Sequence, residues 1–268
     1  LFADDCVVYR KIASETDHLT LQNDLDTIVD WCQNWQMILN PNKCKSITFS
    51  SKHVVSNFIY SINNTSLSRV TSYKYLGIQF TPNLSWSSHI SAVCNKASRT
   101  LGFIRRNLRN SPSSVRKLAY FTFVRPQLEF ISPIWSPHQK YLIDMLESIQ
   151  SRAARYIFSN YSPLASVSQL KYLNDIQILE IRRSISLLCL FHKYVHTRPS
   201  LLPLASPFRS SQRLHNQLSF NRIYGKTLSF NSSALPRAIK LWNDLPDNII
   251  SFIDPGEFKK HLCIHLLP

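Results

Sequence analysis

Apolar residues recur along this chain at two periods, and the change from one to the other divides it. Leu21, Leu25, Ile28, Cys32, Trp35 and Leu39 follow at steps of four and three, which predicts one amphipathic helix. Asp24, Asp26 and Asp30 lie off that inner stripe. Pro41 disfavours helical geometry in the residue before it, so the helix should stop near Asn40. Ahead of it, Phe2-Ala3 and Cys6-Val7-Val8-Tyr9 flank paired aspartates, a pattern for two short buried strands with carboxylates at their turn. Behind it, apolar residues alternate around 47–49, 58–62 and 73–80, with Asn63-Asn64 as a turn. These segments predict a small antiparallel sheet.

From Ser88 the period becomes helical. Ile90, Val93, Cys94, Ala97, Leu101 and Ile104 form one stripe, with Arg99, Arg105 and Arg106 off it. Ser111-Pro112 reads as an N-cap followed by a first-turn proline, opening a helix with Val115, Leu118, Ala119 and Thr122 inward. A third helix is expected from about 141 to 158, with Leu142, Met145, Leu146, Ile149, Ala153, Tyr156 and Ile157 inward and Arg152 and Arg155 beside them. A long apolar helix follows at about 176–196, then an irregular Pro-, Ser- and Arg-rich connection at 198–221. Short helices at 234–242 and 257–267 close the chain. The fold class is therefore α+β and mostly helical.

Charge changes this picture from a fold to a partner. The 268 residues hold 31 Lys and Arg against 16 Asp and Glu, a formal net charge of +15. No acid occurs from Trp31 to Leu128, or from Ile181 to Asn243. An ordinary solvated surface mixes both signs to limit self-repulsion. Long acid-free segments point instead to phosphates as the missing counter-charge.

The six cysteines form no C-x-x-C pair, which argues against a zinc ribbon or redox motif and fits a reducing intracellular setting. His261, Cys263 and His265 alternate as at the end of a half-buried element, and no second half-site matches them as metal ligands. No run approaches the ~20 apolar residues of a membrane span.

Asp4-Asp5 is the candidate for chemistry. Paired hard oxygens at a strand turn suit Mg²⁺, which takes few carboxylates together with substrate phosphates. In isolation such a pair is usually a solvated turn. Two-metal phosphoryl transfer also needs a further carboxylate from elsewhere to bridge the ions.

The order of motifs after the pair carries a resemblance. Phe2-Ala3-Asp4-Asp5 resembles the F-A-D-D box of non-LTR retrotransposon (LINE-type) reverse transcriptases. As in that family, it is followed by a helix with Trp31 and Trp35, then Leu39-Asn40-Pro41-Asn42-Lys43-Cys44-Lys45. Next come Tyr73-Lys74-Tyr75-Leu76-Gly77-Ile78, Leu84-Ser85-Trp86 with His89, and Arg125-Pro126-Gln127-Leu128-Glu129-Phe130 with Trp135. Leu146-Glu147-Ser148-Ile149-Gln150 and Leu235-Pro236-Arg237 through Pro246 continue the likeness nearly to the end.

The resemblance implies a partial reverse-transcriptase palm over residues 1–83, a helical thumb over 84–160 and a helical C-terminal region over 161–268. It implies Asp4 as a metal-binding catalytic aspartate, with Asp5 its less engaged neighbour. Lys43 would stand at the leaving pyrophosphate, with Lys45 as competitor. Tyr75, Leu76 and Gly77 would support the primer terminus. The basic thumb, with Lys96, Arg99, Arg105, Arg106, Arg109, Arg152 and Arg155, would grip duplex through its phosphates. The implied cofactor is Mg²⁺, the implied partners are an RNA template and DNA primer as RNA–DNA hybrid, and the implied setting is the nucleus without a membrane. One departure is Phe80-Thr81-Pro82-Asn83, where the family often has an aspartate after Leu-Gly. The family's first catalytic aspartate and its fingers precede the F-A-D-D box. The expectation is thus a C-terminal fragment of an RNA-directed DNA polymerase, inactive by itself. The competing readings are a non-catalytic basic RNA- or DNA-binding module and an inert transposon remnant.

Overall fold

The computed structural model describes residues 5–50, 56–197 and 218–267. The chain forms two compact units, Leu1–His89 and Ile90–Pro268.

In the first unit, α1 (Glu15–Asn34) turns His18, Val29 and Cys32 inward. It stops before the expected Asn40 because Gln36 adopts left-handed geometry, with φ 55°. Met37 N–H then reaches Cys32 O at 2.8 Å and Gln36 N–H reaches Gln33 O at 3.0 Å, closing the last turn. Trp35 consequently leaves the inner stripe on which the periodicity placed it and stands 68% exposed. A clasp ties α1 to the following hairpin. Gln22 Nε2 donates to Ser61 O and Ser61 N–H donates to Gln22 Oε1, both at 3.0 Å.

Three separate two-stranded ladders stand where one antiparallel sheet was expected. β1 (Lys45–Ser46) pairs in parallel with β4 (Ser68–Arg69). β2 (Ser61–Ile62) and β3 (Thr65–Ser66) pair antiparallel across Asn63-Asn64, as do β5 (Tyr73–Tyr75) and β6 (Ile78–Phe80) across Leu76-Gly77. Apart from Ile62 the first two ladders hold only serine, threonine, lysine and arginine, leaving little apolar face on which a wider sheet could stack. The expected buried strand after Asp5 also differs. Cys6 to Tyr9 has no regular structure, and Val7 and Tyr9 stand 50% and 90% exposed.

The second unit is helical. α2 (Ser87–Asn107) begins in the first unit and continues into the second, burying Ile90, Cys94, Ala97, Leu101 and Ile104 as the stripe predicts. α3 (Ser113–Ala119) runs into a π-helical turn (Tyr120–Val124) and then α4 (Arg125–Glu129). Pro126 has no N–H for the carbonyl four residues back and its ring crowds that carbonyl; the wider turn relieves both. The extra residue shifts the helix phase. Ala119, Tyr120, Val124 and Leu128 are therefore buried, while the expected Val115, Leu118 and Thr122 are exposed.

α5 (Ser132–Trp135) and α6 (Lys140–Ile157) complete this core, with Trp135, Leu142, Leu146 and Ile149 at 1% exposure or less. α7 (Val167–Leu173) leads to the long α8 (Leu179–Thr197). α9 (Leu228–Asn231), α10 (Ala234–Asn243), α11 (Asp247–Ile250) and α12 (Pro255–Leu266) follow. α8, α10, α11 and α12 close around Leu188, Phe191, Ile239, Trp242, Phe258 and Leu262. His261, Cys263 and His265 fall on α12, where a helix gives alternate residues different faces; His261 stacks on Phe252 with centroids 4.3 Å apart. Among the described residues no helix is long and apolar enough to cross a membrane.

Candidate nucleic-acid interface

Asp4 lies outside the described residues. Asp5 is exposed and forms a single isolated bridge. Its carboxylate is the right kind of donor for magnesium, but the number falls short. Among the described residues no three His, Cys, Asp or Glu side chains converge as a metal site.

Lys43 ends a 3-10 turn at Pro41–Lys43, its N–H donating to Asn40 O at 3.1 Å, and its exposed side chain has no hydrogen bond or ion pair among the described residues. Lys45 lies on β1, its Nζ 2.8 Å from Ser68 Oγ. The two lysines are thus separated by their partners: Lys45 is tied to the ladder, and Lys43 is free to meet a phosphate. No hydrogen bond joins either lysine to Asp5 among the described residues.

Tyr75, Leu76 and Gly77 form the tip of the β5–β6 hairpin. Tyr75 pairs with Ile78, leaving Leu76-Gly77 as a two-residue loop with φ 47° and 87°. Positive φ at both positions is the twist a two-residue hairpin prefers, but it is costly at leucine. The hairpin is held from behind by the L-x-W-x-x-H segment. Trp86 meets Phe80 edge-on at 5.8 Å, and His89 Nδ1 accepts Gln79 N–H at 3.3 Å. Burial pulls the His89 pKa below its ordinary value, and the charge of Lys74 adds to the effect. This part of the motif is thereby a brace.

The structure sorts the expected nucleic-acid cations into two sets. Arg152 Nη2 donates to Ser98 Oγ at 2.9 Å, Arg155 Nη1 to Ser162 O at 2.9 Å, and Arg105 lies over the Tyr161 ring at 5.6 Å. Lys96, Arg99 and Arg106 on α2 and Arg109 in the turn just after it are exposed, and their side chains have no ion pair or hydrogen bond among the described residues.

Several cations of the acid-free stretches serve the interior instead. Arg116 gathers the carbonyls of Ser111, Arg109 and Tyr156 and the hydroxyl of Ser159, joining the end of α6 to the α2–α3 connection. Arg182 pairs with Glu129 of α4. Arg237 donates to Ser136 and Ser184 at 2.7 and 2.9 Å. Arg183 is 1% exposed. A signal existed for the last three, since each sits within a helix whose apolar residues leave little outward face.

Residues 1–80 match the family model for reverse transcriptase (RNA-dependent DNA polymerase). The chain is 33% identical over 100 residues to the RNA-directed DNA polymerase from mobile element jockey of Drosophila melanogaster, covering 37% of this chain and 11% of that protein. The Drosophila funebris jockey polymerase gives 33% over 95 residues, 34% of this chain and 10% of that protein. The probable RNA-directed DNA polymerase from transposon BS of Drosophila melanogaster gives 26% over 161 residues, 58% of this chain and 18% of that protein. The likeness is to reverse transcriptases of the non-LTR retrotransposon type. The chain spans between a tenth and a fifth of the length of these relatives. No solved structure matches.

Proposed function

We propose that this chain is the C-terminal part of an RNA-directed DNA polymerase, in which residues 1–83 end the palm, 84–160 form the thumb and 161–268 brace it. In this reading Asp4 and Asp5 contribute carboxylates to a Mg²⁺ site that other residues of the longer protein complete, and Lys43 meets the pyrophosphate. The hairpin tip Tyr75-Leu76-Gly77 stands at the primer terminus. The partners are an RNA template and a DNA primer, and the setting is the nucleus.

The observation that carries it is the set of cations unpaired among the described residues on α2, Lys96, Arg99 and Arg106, with Arg109 in the turn just after it, within a stretch that holds no acid from Trp31 to Leu128. Three free cations on one helix and a fourth just past its end are phosphate contacts in kind: they position a duplex without reading its sequence. The family match over residues 1–80 supports the polymerase reading over a bare binding module.

The test is binding of the chain to a fluorescein-labelled RNA–DNA hybrid across a salt series. Each lost phosphate contact should flatten the logarithmic salt dependence by about 0.9. Arg99→Ala with Arg106→Ala should therefore flatten it by about 2. A salt dependence equal to that of the native chain would remove α2 from the interface.

A further inference from the structure

Gly102 stands in the middle of α2, three residues after Arg99 and four before Arg106. These steps place all three along one row of the helix surface. Glycine inside a helix is unfavourable relative to alanine, because its backbone has more freedom to lose. Nothing among the described residues requires it. A Cβ built there would meet, among those residues, only Arg106 Nη1, at 3.6 Å, an ordinary contact with the far end of a flexible side chain. A helix that could hold alanine but keeps glycine, on a row of unpaired arginines, is shaped for close approach from outside. The flanking charges say by what: Arg99 and Arg106 are exposed without an ion pair among the described residues, and the surrounding sequence has no acid.

We infer that Gly102 is the point where one strand of a bound RNA–DNA hybrid lies directly on the backbone of α2, with Arg99 and Arg106 holding phosphates on either side. Phe103, 61% exposed beside it, offers an apolar surface to the sugars. This rests on the nucleic-acid reading above and adds to it a positioning residue that carries no charge. Gly102 sets how near the strand comes; the arginines set how strongly the charge is felt.

The experiment measures melting and hybrid binding together, on the full chain, for Gly102→Ala, Gly102→Leu and Arg99→Ala. Gly102→Ala should raise the Tm by about 2–4 °C, since it removes the helix penalty. It should weaken hybrid binding several-fold while leaving the salt dependence as in the native chain, because no phosphate contact loses its charge. Gly102→Leu should weaken binding further. Arg99→Ala should instead flatten the salt dependence by about 1. If Gly102→Ala binds as tightly as the native chain while Arg99→Ala does not, close approach is wrong and the nucleic-acid reading stands. If neither variant changes binding, both readings fall. A lower Tm for Gly102→Ala would mean that the fold itself needs the glycine, and would overturn the inference.

Discussion

Glu147 reaches from α6 to the first residue of α8, where its Oε1 accepts Leu179 N–H at 2.6 Å. Its other oxygen takes Lys171 Nζ at 2.8 Å and Gln150 Nε2 at 3.1 Å. One carboxylate thereby caps a helix N-terminus, where the helix dipole favours negative charge, and neutralises a lysine that is only 15% exposed. Gln150 extends the network to the core through the Tyr120 hydroxyl, 2.6 Å away.

Removing that carboxylate should loosen α6, α7 and α8 together. Glu147→Ala leaves an orphan N–H at Leu179 and an unpaired Lys171, a loss of about 2–3 kcal/mol. Glu147→Gln keeps the shape and should cost less. Thermal melts of both variants check this. A Glu147→Ala chain that melts with the native one would mean that the cap is idle.

The Leu76-Gly77 turn gives the opposite sign. Leu76 is held at φ 47°, where an L side chain crowds the backbone, and its side chain is exposed. Asparagine tolerates this geometry, so Leu76→Asn should raise stability by about 1 kcal/mol. Gly77→Ala, at φ 87°, should lower it by at least about 1 kcal/mol. Amide exchange across β5 and β6 reads the effect locally. If Leu76 also supports a primer, the Asn variant of the complete polymerase should melt higher yet extend primers more slowly.

Much of this architecture was legible, and the failures share a cause. The stripes of α2 and α6 predicted their buried faces because a helix with one apolar side has one way to lie. Trp35 was placed inward by the same logic, but left-handed Gln36 ends α1 before the stripe does, and glutamine is no cue for a helix stop. The α3 face was misread because a π-turn adds a residue to the period, with Pro126 as its only local mark. Glu147 could not be found at all. Its partners Lys171 and Leu179 lie 24 and 32 residues away, and no spacing rule links them. The internal partners of Arg116, Arg182 and Arg237 were hidden for the same reason: charge is visible in a sequence, and pairing is not.

The His192–His196 pair should make the C-terminal helices acid-sensitive. His192 Nε2 lies 2.7 Å from Phe252 O, and since a carbonyl only accepts, Nε2 carries the proton. Nδ1 is then buried beside Phe258 and His196 with no partner among the described residues. Charging His192 would place a second N–H there. Burial lowers its pKa first, against the opposing effects of the Phe252 carbonyl and Asp254. Burial also lowers His196, and the charge of His192 adds to it. The unfolded chain therefore takes up protons before the folded one does. Stability is full above the ordinary value of 6.5 and is lost as pH falls through it toward the folded pKa values. The native Tm should fall steadily below pH 6.5, and His192→Leu should flatten that slope. Equal slopes would acquit the pair.

Arg183 and Arg182 are neighbours on α8 with opposite fortunes. Arg182 meets Glu129, and the hydrogen bond to that carboxylate raises its pKa. Arg183 is 1% exposed, and none of its three guanidinium nitrogens has a hydrogen-bond partner among the described residues. Burial pulls it down to about 10, although the charge of Glu147 works the other way. It nonetheless stays charged at neutral pH, so the fold bears its desolvation without direct compensation. Replacing a buried charge by an apolar side chain of similar reach often stabilises a protein by about 1–4 kcal/mol. Arg183→Met should therefore melt at or above the native temperature, whereas Arg182→Met should melt below it by stranding Glu129. The pair is its own control, since both substitutions remove the same group from adjacent positions of one helix. If Arg183→Met were the more damaging of the two, Arg183 would have to be compensated by an interaction stronger than the Glu129 pair.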